Sequence, residues 1–267
     1  MELCLSTFVG PEWTTERLVA AAQRWEFRGL EFRCDARQAH GAEPYIEPYE
    51  QKRLRGLLQD NDTEAVGLAT SLELAHPHVT EHLATRLELA GNLGARGLRL
   101  FVGDRPRTMT AYEYEQVLVD RLRFAATLAD SYNVEVWLET HPPCATGADL
   151  AALIGQAQAR NVGVVWDLVE TARAGEDPPA TLGHLRGLLR LVRLHDAVFT
   201  ADGVLPTPLG DGQAPVEQVL TTLAGHDANT YLCAQWIGPL YHRDPDAALE
   251  TFRKRLTALC DRLSLRV

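Results

Sequence analysis

The sequence predicts a single (β/α)8 barrel domain over residues 1–267, and three observations lead to this fold class. The length of 267 residues suits one large α/β domain, and such barrels typically need about 250 residues. Short apolar segments with strand periodicity alternate with longer segments of helical periodicity, which favours a parallel sheet. About eight such units follow one another without a linker or low-complexity tract, which favours a closed barrel over an open sheet.

In the first half of the chain, four strand–helix units follow from apolar periodicity and from residues that begin or end helices. Thr14 is the predicted N-cap of the first helix, with Glu16 in its first turn, and Gly94 ends the third helix. Pro44 and Pro48 mark the polar loop after the second strand. The predicted strands are 2–7, 29–34, 64–70 and 97–102, and the predicted helices cover about 14–25, 48–60, 78–93 and 110–131.

The second half of the chain repeats this pattern, and its first strand is the most strongly patterned segment of the sequence. In VEVWLETHPP, residues 134–143, apolar residues alternate with Glu135, Trp137 and Glu139, and two prolines then end the strand. The loop 198–214 is predicted to be irregular and contains the turn PLGDG. The remaining predicted strands are 134–139, 162–167, 191–195 and 230–235, and helices cover about 147–160, 180–190, 215–225 and 244–263.

Composition and charge exclude several classes of partner. A hydrophobic fraction of 46% with 23% charged residues is ordinary for a soluble globular protein. The formal net charge of −10 argues against a nucleic-acid partner, because phosphate backbones are bound by excess Lys and Arg. No apolar run approaches the roughly 18 residues that a membrane span needs. These features favour a small-molecule substrate, with no nucleic acid and no membrane as partners.

The amino terminus and the cysteines predict a cytoplasmic location. MELCLSTFVG has no basic n-region, so it is interpreted as a first strand rather than a signal peptide. The five cysteines are odd in number, scattered and without a CxxC motif, which fits reduced thiols better than disulfides or structural zinc. They are Cys4, Cys34, Cys144, Cys233 and Cys260.

Polar residues gather where the last four predicted strands end. In parallel α/β proteins the carboxyl ends of the strands are where ligands bind, so these residues predict a functional site. Each also has a structural interpretation, since a buried carboxylate neutralised by an arginine needs no catalytic role. The residues are Glu139 and His141, Asp167, the Arg193–His195–Asp196 segment, and Gln235.

Seven short motifs in the same order and spacing resemble the xylose-isomerase-like barrel superfamily, in its sugar phosphate isomerase/epimerase branch. They are GLEFR (29–33), GARGLRLFVG (94–103), LETH (138–141), VVWD (164–167), HDA (195–197), PLGDG (208–212) and AQW (234–236). The resemblance spans almost the whole chain. It implies a barrel in which Glu, Asp, His and Glu from strands five to eight hold a divalent cation. Carboxylates beside the cation move protons on a sugar or polyol.

The resemblance carries over to this chain only in part. Glu139 and Asp167 match the metal ligands of strands five and six. When strand seven is aligned with the family motif on Asp196 and Ala197, Arg193 takes the position of the metal-binding His. Gln235 stands where strand eight should supply a Glu, and Glu170 replaces the His that often follows the strand-six Asp. Two of the four implied ligands are therefore replaced, one of them by a permanent cation.

The charges of these replacements support a metal-free hypothesis, in which no cofactor is required. The exchange removes a carboxylate and a divalent ion and adds one guanidinium, so the net charge of the site is unchanged. We expect the Arg193 guanidinium to take the place of the ion and to pair with Glu139 and Asp167. The alternative keeps a divalent metal (Mn, Mg, Co or Zn), held by Glu139 and Asp167 with His195 as the third ligand.

Four further residues are predicted to contact the substrate. Arg33 and Arg99 have inward parity beside Glu31, and they either bind an anionic substrate or pair with neighbouring carboxylates. Gln235 ends the last strand with the same inward parity. Trp236 follows it directly and is placed to stack on a sugar ring.

The surviving groups limit the chemistry. Epimerisation by two opposed bases loses one of them at Gln235, because an amide does not accept the proton. A one-base route through an enediol survives, with Glu139 moving a proton between adjacent carbons. Dehydration also survives, with His195 or His141 assisting the departure of hydroxide, and Arg193 stabilises a developing oxyanion in either route.

The sequence therefore predicts an isomerase/epimerase-like enzyme that acts by proton transfer on a small sugar, polyol or related hydroxy-carbonyl compound. The predicted catalytic residues are Glu139, His141, Arg193 and His195. A dehydratase (lyase) of the same family and a non-catalytic binding barrel are the alternatives. The abasic-site endonuclease branch of this fold is disfavoured by the net negative charge and by Arg193.

Overall fold

Eight parallel strands close into one barrel, as predicted. The structure, a computed structural model, describes residues 1–201, 203–226, 230–236 and 244–265. The barrel strands are β1 Glu2–Ser6, β2 Gly29–Arg33, β3 Glu64–Glu73, β4 Gly97–Phe101, β5 Glu135–Glu139, β6 Val162–Asp167, β7 Leu189–Leu194 and β10 Tyr231–Ala234. Around the barrel they follow the order β1-β10-β7-β6-β5-β4-β3-β2.

Eight of the helices lie in the predicted segments, although the one expected at about 180–190 ends at His184, and the short helix Leu168–Arg173 was not predicted. The first helix begins at the expected cap. The Thr14 side chain accepts a hydrogen bond from Arg17 N, and Thr110 forms a capping box with Glu113. Gly94 ends its helix in the left-handed conformation at φ +79°. The helices are α1 Thr15–Arg24, α2 Pro48–Asp60, α3 Val79–Leu93, α4 Ala111–Asp130, α5 Gly147–Ala157, α6 Leu168–Arg173, α7 Pro178–His184, α8 Val216–Gly225 and α9 Pro245–Leu263.

The segment after β7 differs from the prediction. About half of the stretch that we expected to be irregular belongs to an antiparallel hairpin, β8 Asp196–Thr200 and β9 Gly203–Thr207. The buried Asp196 carboxylate holds the following turn, because it accepts hydrogen bonds from Gly210 N at 2.9 Å and Gly212 N at 3.0 Å. The PLGDG turn is therefore held against the start of β8, just after the barrel strand β7, by one buried acid.

The amino-terminal half of the barrel interior is filled by Trp137. Glycines on three other strands make room for its ring: a Cβ at Gly67 would lie 2.7 Å from it and one at Gly163 2.9 Å from it, and Gly97 allows still less space. The indole Nε1 donates to Glu135 Oε2 at 2.8 Å. As predicted from its position below the rim, Trp137 serves packing, and it leaves polar side chains to the carboxyl end.

None of the helices in the described ranges is both long enough and apolar enough to cross a bilayer.

Candidate functional site

The carboxyl end of the barrel brings together four of the predicted residues, Glu139, Asp167, Arg193 and His195. Strand register produces this grouping: Asp167 lies level with Arg193 on neighbouring strands, and Val165 lies level with Glu139. Arg193 points into the barrel, as its parity in β7 predicted.

Arg193 is fully buried and has two carboxylate partners. Its Nη2 donates to Glu139 Oε2 at 2.9 Å, and Nε lies 3.3 Å from the same oxygen. Its Nη1 pairs with Glu31 Oε2 from β2. Burial lowers the pKa of Arg193, but the charges of Glu139 and Glu31 outweigh it and hold the pKa well above its usual value. The guanidinium is thus a fixed positive charge.

A second buried guanidinium reaches the same carboxylate. Arg99 Nε lies 3.0 Å from Glu139 Oε2, and Arg99 Nη1 donates to Thr70 O at 2.6 Å. Burial lowers the pKa of Arg99 to about 10, although Glu139 opposes the shift. For Glu139, burial raises the pKa, but the two arginines reverse this and the net pKa is lowered. Glu139 is therefore a weak base in this arrangement.

Asp167 does not pair with Arg193, and this corrects the sequence prediction. Asp167 pairs instead with His195, whose Nε2 lies 2.9 Å from Asp167 Oδ1. The same oxygen accepts hydrogen bonds from Val169 N at 2.9 Å and Glu170 N at 3.1 Å, so Asp167 also caps α6. The carboxylate turned away from Arg193 because the first turn of α6 and the imidazole hold it.

His195 and Asp167 shift each other's pKa. Burial lowers the pKa of His195, but the negative charge of Asp167 and its hydrogen bond raise it, so the net pKa lies above its usual value. Burial likewise raises the pKa of Asp167, but the charge of His195 and their hydrogen bond lower it overall. The His195 side chain keeps 18% of its surface exposed, so this pair is more open than the Arg193 cluster.

His141 and Arg33 lie toward the edge of the barrel mouth. His141 is exposed, and its ring packs against Phe101 at 4.6 Å between centroids. Its Nδ1 lies 3.0 Å from Pro142 O. Arg33 is half-buried and donates to Ala69 O at 3.1 Å, with further hydrogen bonds to Cys34 O and Ser71 Oγ.

Gln235 and Trp236, which directly follow β10, lie in different surroundings. Gln235 is buried, and its Oε1 has no hydrogen-bond partner within the described residues. Trp236 is also buried, and its ring packs 5.9 Å from that of Phe252 in α9. This position lies between the barrel and a helix, and it does not support the predicted stacking of Trp236 on a sugar.

Sequence reasoning missed Glu31 as a member of the central cluster. Its inward parity was visible beside Arg33, but its partner Arg193 lies 162 residues away along the chain. A sequence signal was nevertheless present. An arginine at an interior barrel position requires a buried counter-charge, and Glu31 offers one in the middle of β2.

The residues at the four implied ligand positions do not fit a divalent ion. Arg193 brings a permanent positive charge to the position of a neutral imidazole. Glu139 Oε2, one of the oxygens that would bind the ion, already receives two guanidinium groups. Asp167 Oδ1 is engaged by His195 and by two backbone N–H groups. Arg193 thus places a positive charge between Glu139 and Glu31 at this end of the barrel.

Elsewhere in the described residues, one group has the side-chain types and proximity of a metal site: Cys34, Asp35 and Glu43. Arg86 Nη2 already pairs with Asp35 Oδ1 at 2.5 Å, and Glu43 Oε2 accepts from Asp35 N at 2.7 Å. These contacts account for both carboxylates without an ion.

Solved structures share this fold at low sequence identity. A probable 3-DHS dehydratase involved in petrobactin synthesis from Bacillus anthracis aligns with a TM-score of 0.80 and 21% identity, covering 96% of this chain and 99% of that one. D-psicose 3-epimerase from Clostridium cellulolyticum, solved with D-tagatose, has a TM-score of 0.81 and 13% identity over 100% of both chains. The IolI protein with a bound zinc atom has a TM-score of 0.79 and 15% identity over 98% and 99%.

Curated protein sequences contain no match to this chain. A comparison with protein families does find a match: the sequence profile of the xylose isomerase-like TIM barrel matches residues 19–255. The chain belongs to the xylose isomerase-like TIM barrel family.

Proposed function

We propose that this protein is an isomerase/epimerase-type enzyme that moves a proton on a small hydroxy-carbonyl compound without a metal ion. One observation carries the proposal: His195 Nε2 lies 2.9 Å from Asp167 Oδ1, beside the cluster of Arg193 and Glu139. A histidine oriented by a carboxylate is a common acid/base arrangement. It stands here next to fixed positive charge.

His195 is the acid/base group in this proposal, in place of Glu139. Neutral His195 removes the proton from the hydroxyl-bearing carbon next to the carbonyl, which gives an enediolate and an imidazolium. The hydroxyl proton then passes to the former carbonyl oxygen, and the imidazolium returns its proton to the former carbonyl carbon. Asp167 stabilises the imidazolium in between. Glu139 is less suited to this step, because two guanidinium groups lower its pKa.

Arg193 and Arg99 stabilise the negative charge that develops on the enediolate oxygen. Fixed charges in a buried site act strongly on such an oxyanion because little solvent reorganises there. Arg193 has no exposed surface, so it acts through the field and through the position of Glu139. It is a positioning residue rather than a group that contacts substrate.

Arg33 supports a substrate that carries a carboxylate or phosphate. It is half-buried at the mouth, and its hydrogen bonds go to backbone carbonyls and the Ser71 hydroxyl. Neutral partners leave Arg33 able to form a direct ion pair with an anion, whereas Arg99 and Arg193 already contact carboxylates and act on the substrate only through the field.

A dehydratase is the second candidate, and the pKa of His195 favours it. A histidine with a raised pKa is more often protonated near neutral pH and can donate a proton to a departing hydroxide. The barrel of the probable 3-DHS dehydratase superposes on nearly all of this chain, which is compatible with this activity.

Hydrogen exchange tests the proposal. The native protein, treated with EDTA, is incubated in D2O with D-tagatose or D-ribose 5-phosphate, and NMR follows deuterium entry next to the carbonyl and any change of the sugar. We expect exchange that is insensitive to EDTA. His195→Gln should lower the rate by about 10²–10⁴-fold, the usual contribution of an acid/base group.

His184→Gln is the matched control, since His184 ends α7 and precedes the amino-terminal end of β7. It should leave the rate unchanged. Loss of exchange on adding EDTA, or an undiminished rate in His195→Gln, would refute the proposed mechanism. Loss of water from the substrate without isomerisation would identify the dehydratase instead.

A further inference from the structure

Three unpartnered polar atoms lie in one row at the mouth of the barrel. Seven buried side-chain N or O atoms in the described part of the chain lack a hydrogen-bond partner, and three of them are Ser6 Oγ, Glu31 Oε1 and Gln235 Oε1. All three residues are more than nine-tenths buried. Buried polar groups are normally satisfied, so a cluster of exceptions points to a missing partner.

Strand register places the three side chains side by side. Ser6 lies level with Glu31 on β2, and it follows directly after Leu5, which lies level with Ala234 on β10. Ser6 is therefore flanked by Glu31 on one side and Gln235 on the other, one strand spacing of about 4.8 Å away in each direction. The short side chain of Ser6 thus has one long side chain on each side.

All three side chains face the interior of the barrel. Cys4 and Cys233 belong to the interior cluster around Trp137. Ser6 and Gln235 lie two residues further along the same strands, so they share that face. Glu31 faces inward because its other oxygen, Oε2, pairs with the interior Arg193.

The chemistry of these atoms defines the group that they would bind. Glu31 Oε1 and the side-chain amide oxygen of Gln235 can only accept hydrogen bonds, and the Ser6 hydroxyl can donate one. A partner must present two donors close together and at least one acceptor. Two hydroxyl groups on adjacent carbons satisfy this requirement.

We infer that Ser6, Glu31 and Gln235 form a subsite that binds a vicinal diol of the substrate. The inference deepens the proposed function and rests on it for the identity of the site. It also gives Gln235 a role: the side-chain amide oxygen accepts a hydrogen bond from a hydroxyl group without carrying the negative charge of a metal-binding Glu.

Calorimetry with a matched pair of sugars tests the subsite. D-ribose 5-phosphate has a 2,3-diol, whereas 2-deoxy-D-ribose 5-phosphate, in its furanose form, has no vicinal pair of free hydroxyls and carries the same phosphate. With native protein in EDTA, we expect the ribose compound to bind at least about tenfold more tightly, because the deoxy sugar leaves buried acceptors unpaired.

The variant Ser6→Ala with Gln235→Met should bring the two affinities within about twofold of each other. Without ligand, this double variant should melt at the same or a higher temperature, because two unpartnered polar atoms are removed. A structural role for these side chains predicts a lower melting temperature. Gln235→Met alone should give an intermediate affinity ratio.

His195→Gln separates this inference from the proposed function. It should keep the preference for the diol while hydrogen exchange is lost, so failure of catalysis leaves the subsite intact. Equal affinity of the native protein for both sugars, or binding of neither, would overturn the subsite, as would an unchanged preference in the double variant.

Discussion

Strands β5 and β7 form an arginine–glutamate pair at each end of the barrel, and the two pairs behave differently. Near the amino-terminal end, Arg190 Nε lies 2.8 Å from Glu135 Oε2, and the side chains are 30% and 29% exposed. Near the carboxyl end, Arg193 Nη2 lies 2.9 Å from Glu139 Oε2, and the corresponding exposures are 0% and 6%. The residue types, the strands and the distances nearly coincide, so burial is the variable.

Burial changes what each pair does. Exposed ion pairs are screened by water and contribute about 0–1 kcal/mol. A buried pair must compensate for lost hydration, and here Glu31 and Arg99 supply the additional partners. The pair at the amino-terminal end is partly exposed to water, and its Glu135 carboxylate also accepts a hydrogen bond from Trp137 Nε1. The pair at the carboxyl end is a fixed charge cluster that a proton-transfer site can use.

The largest expected effect comes from removing the two arginines separately. Arg193→Ala should lower the free energy of unfolding by about 3–5 kcal/mol, because the buried Glu31 loses its counter-charge and the buried Glu139 keeps only Arg99. Arg190→Ala, the matched control at the other end, should cost about 1 kcal/mol or less. Urea denaturation followed by circular dichroism measures both. Equal losses would show that burial does not distinguish the two pairs.

Restoring the family ligands should turn the buried cluster into a metal site. In Arg193→His with Gln235→Glu, imidazole and carboxylate donors favour a divalent ion. Mn²⁺ at a hundred times its Kd should then stabilise this variant by about 2.7 kcal/mol, while the melting temperature of the native protein barely changes.

Metal analysis of native protein, purified without chelator, is the counterpart of this experiment. It should find far less than one equivalent of Mn, Mg, Co or Zn. A full, tightly held equivalent would refute the role of Arg193 as the replacement for the ion, and would indicate His195 as a ligand.

A smaller effect is expected from filling the space beside Trp137. Gly97→Ala should destabilise the protein by about 1–3 kcal/mol, because the added methyl group overlaps the indole ring within the barrel. Gly56→Ala is the control: it lies within α2 with open space around it, so it should stabilise by about 0.5–1 kcal/mol. Thermal unfolding compares them. A Gly97→Ala protein as stable as the native one would mean that the amino-terminal end is loosely packed.

The smallest effect is a pH dependence of stability that comes from His195 and Asp167. The folded-state pKa of His195 is raised, so its stabilisation is complete below its ordinary pKa of 6.5 and disappears as the pH rises through the folded-state value. The pKa of Asp167 is lowered, so its stabilisation is present above 3.8 and disappears as the pH falls through its folded-state value.

The free energy of unfolding of the native protein should therefore exceed that of His195→Gln by the largest amount between about pH 4 and 6.5. The directions of the two pKa shifts require this window. Urea midpoints measured from pH 4 to pH 9 give this difference. A stability difference that stays constant across that range would indicate an uncharged contact between His195 and Asp167.

Local sequence patterns were sufficient for the architecture. Period-2 segments such as 134–139 and helical segments such as 48–60 appear in the structure with ends shifted by at most a few residues. The inward direction of Arg193 also followed from parity alone, since alternate side chains of a strand face opposite sides. The hairpin after β7 was missed because the loop-forming residues around Pro206 and Gly210 concealed two short strands.

The sequence by itself determined the closed barrel and the positions of the charged residues along each strand, and it led to the hypothesis that Arg193 replaces a metal-binding His. Only the tertiary structure decided which charges meet. Arg193 pairs with Glu31 across the barrel, and Asp167 is held by His195 and by the first turn of α6. Periodicity specifies which face a side chain takes, whereas the choice of partner depends on barrel closure, strand stagger and competing hydrogen bonds.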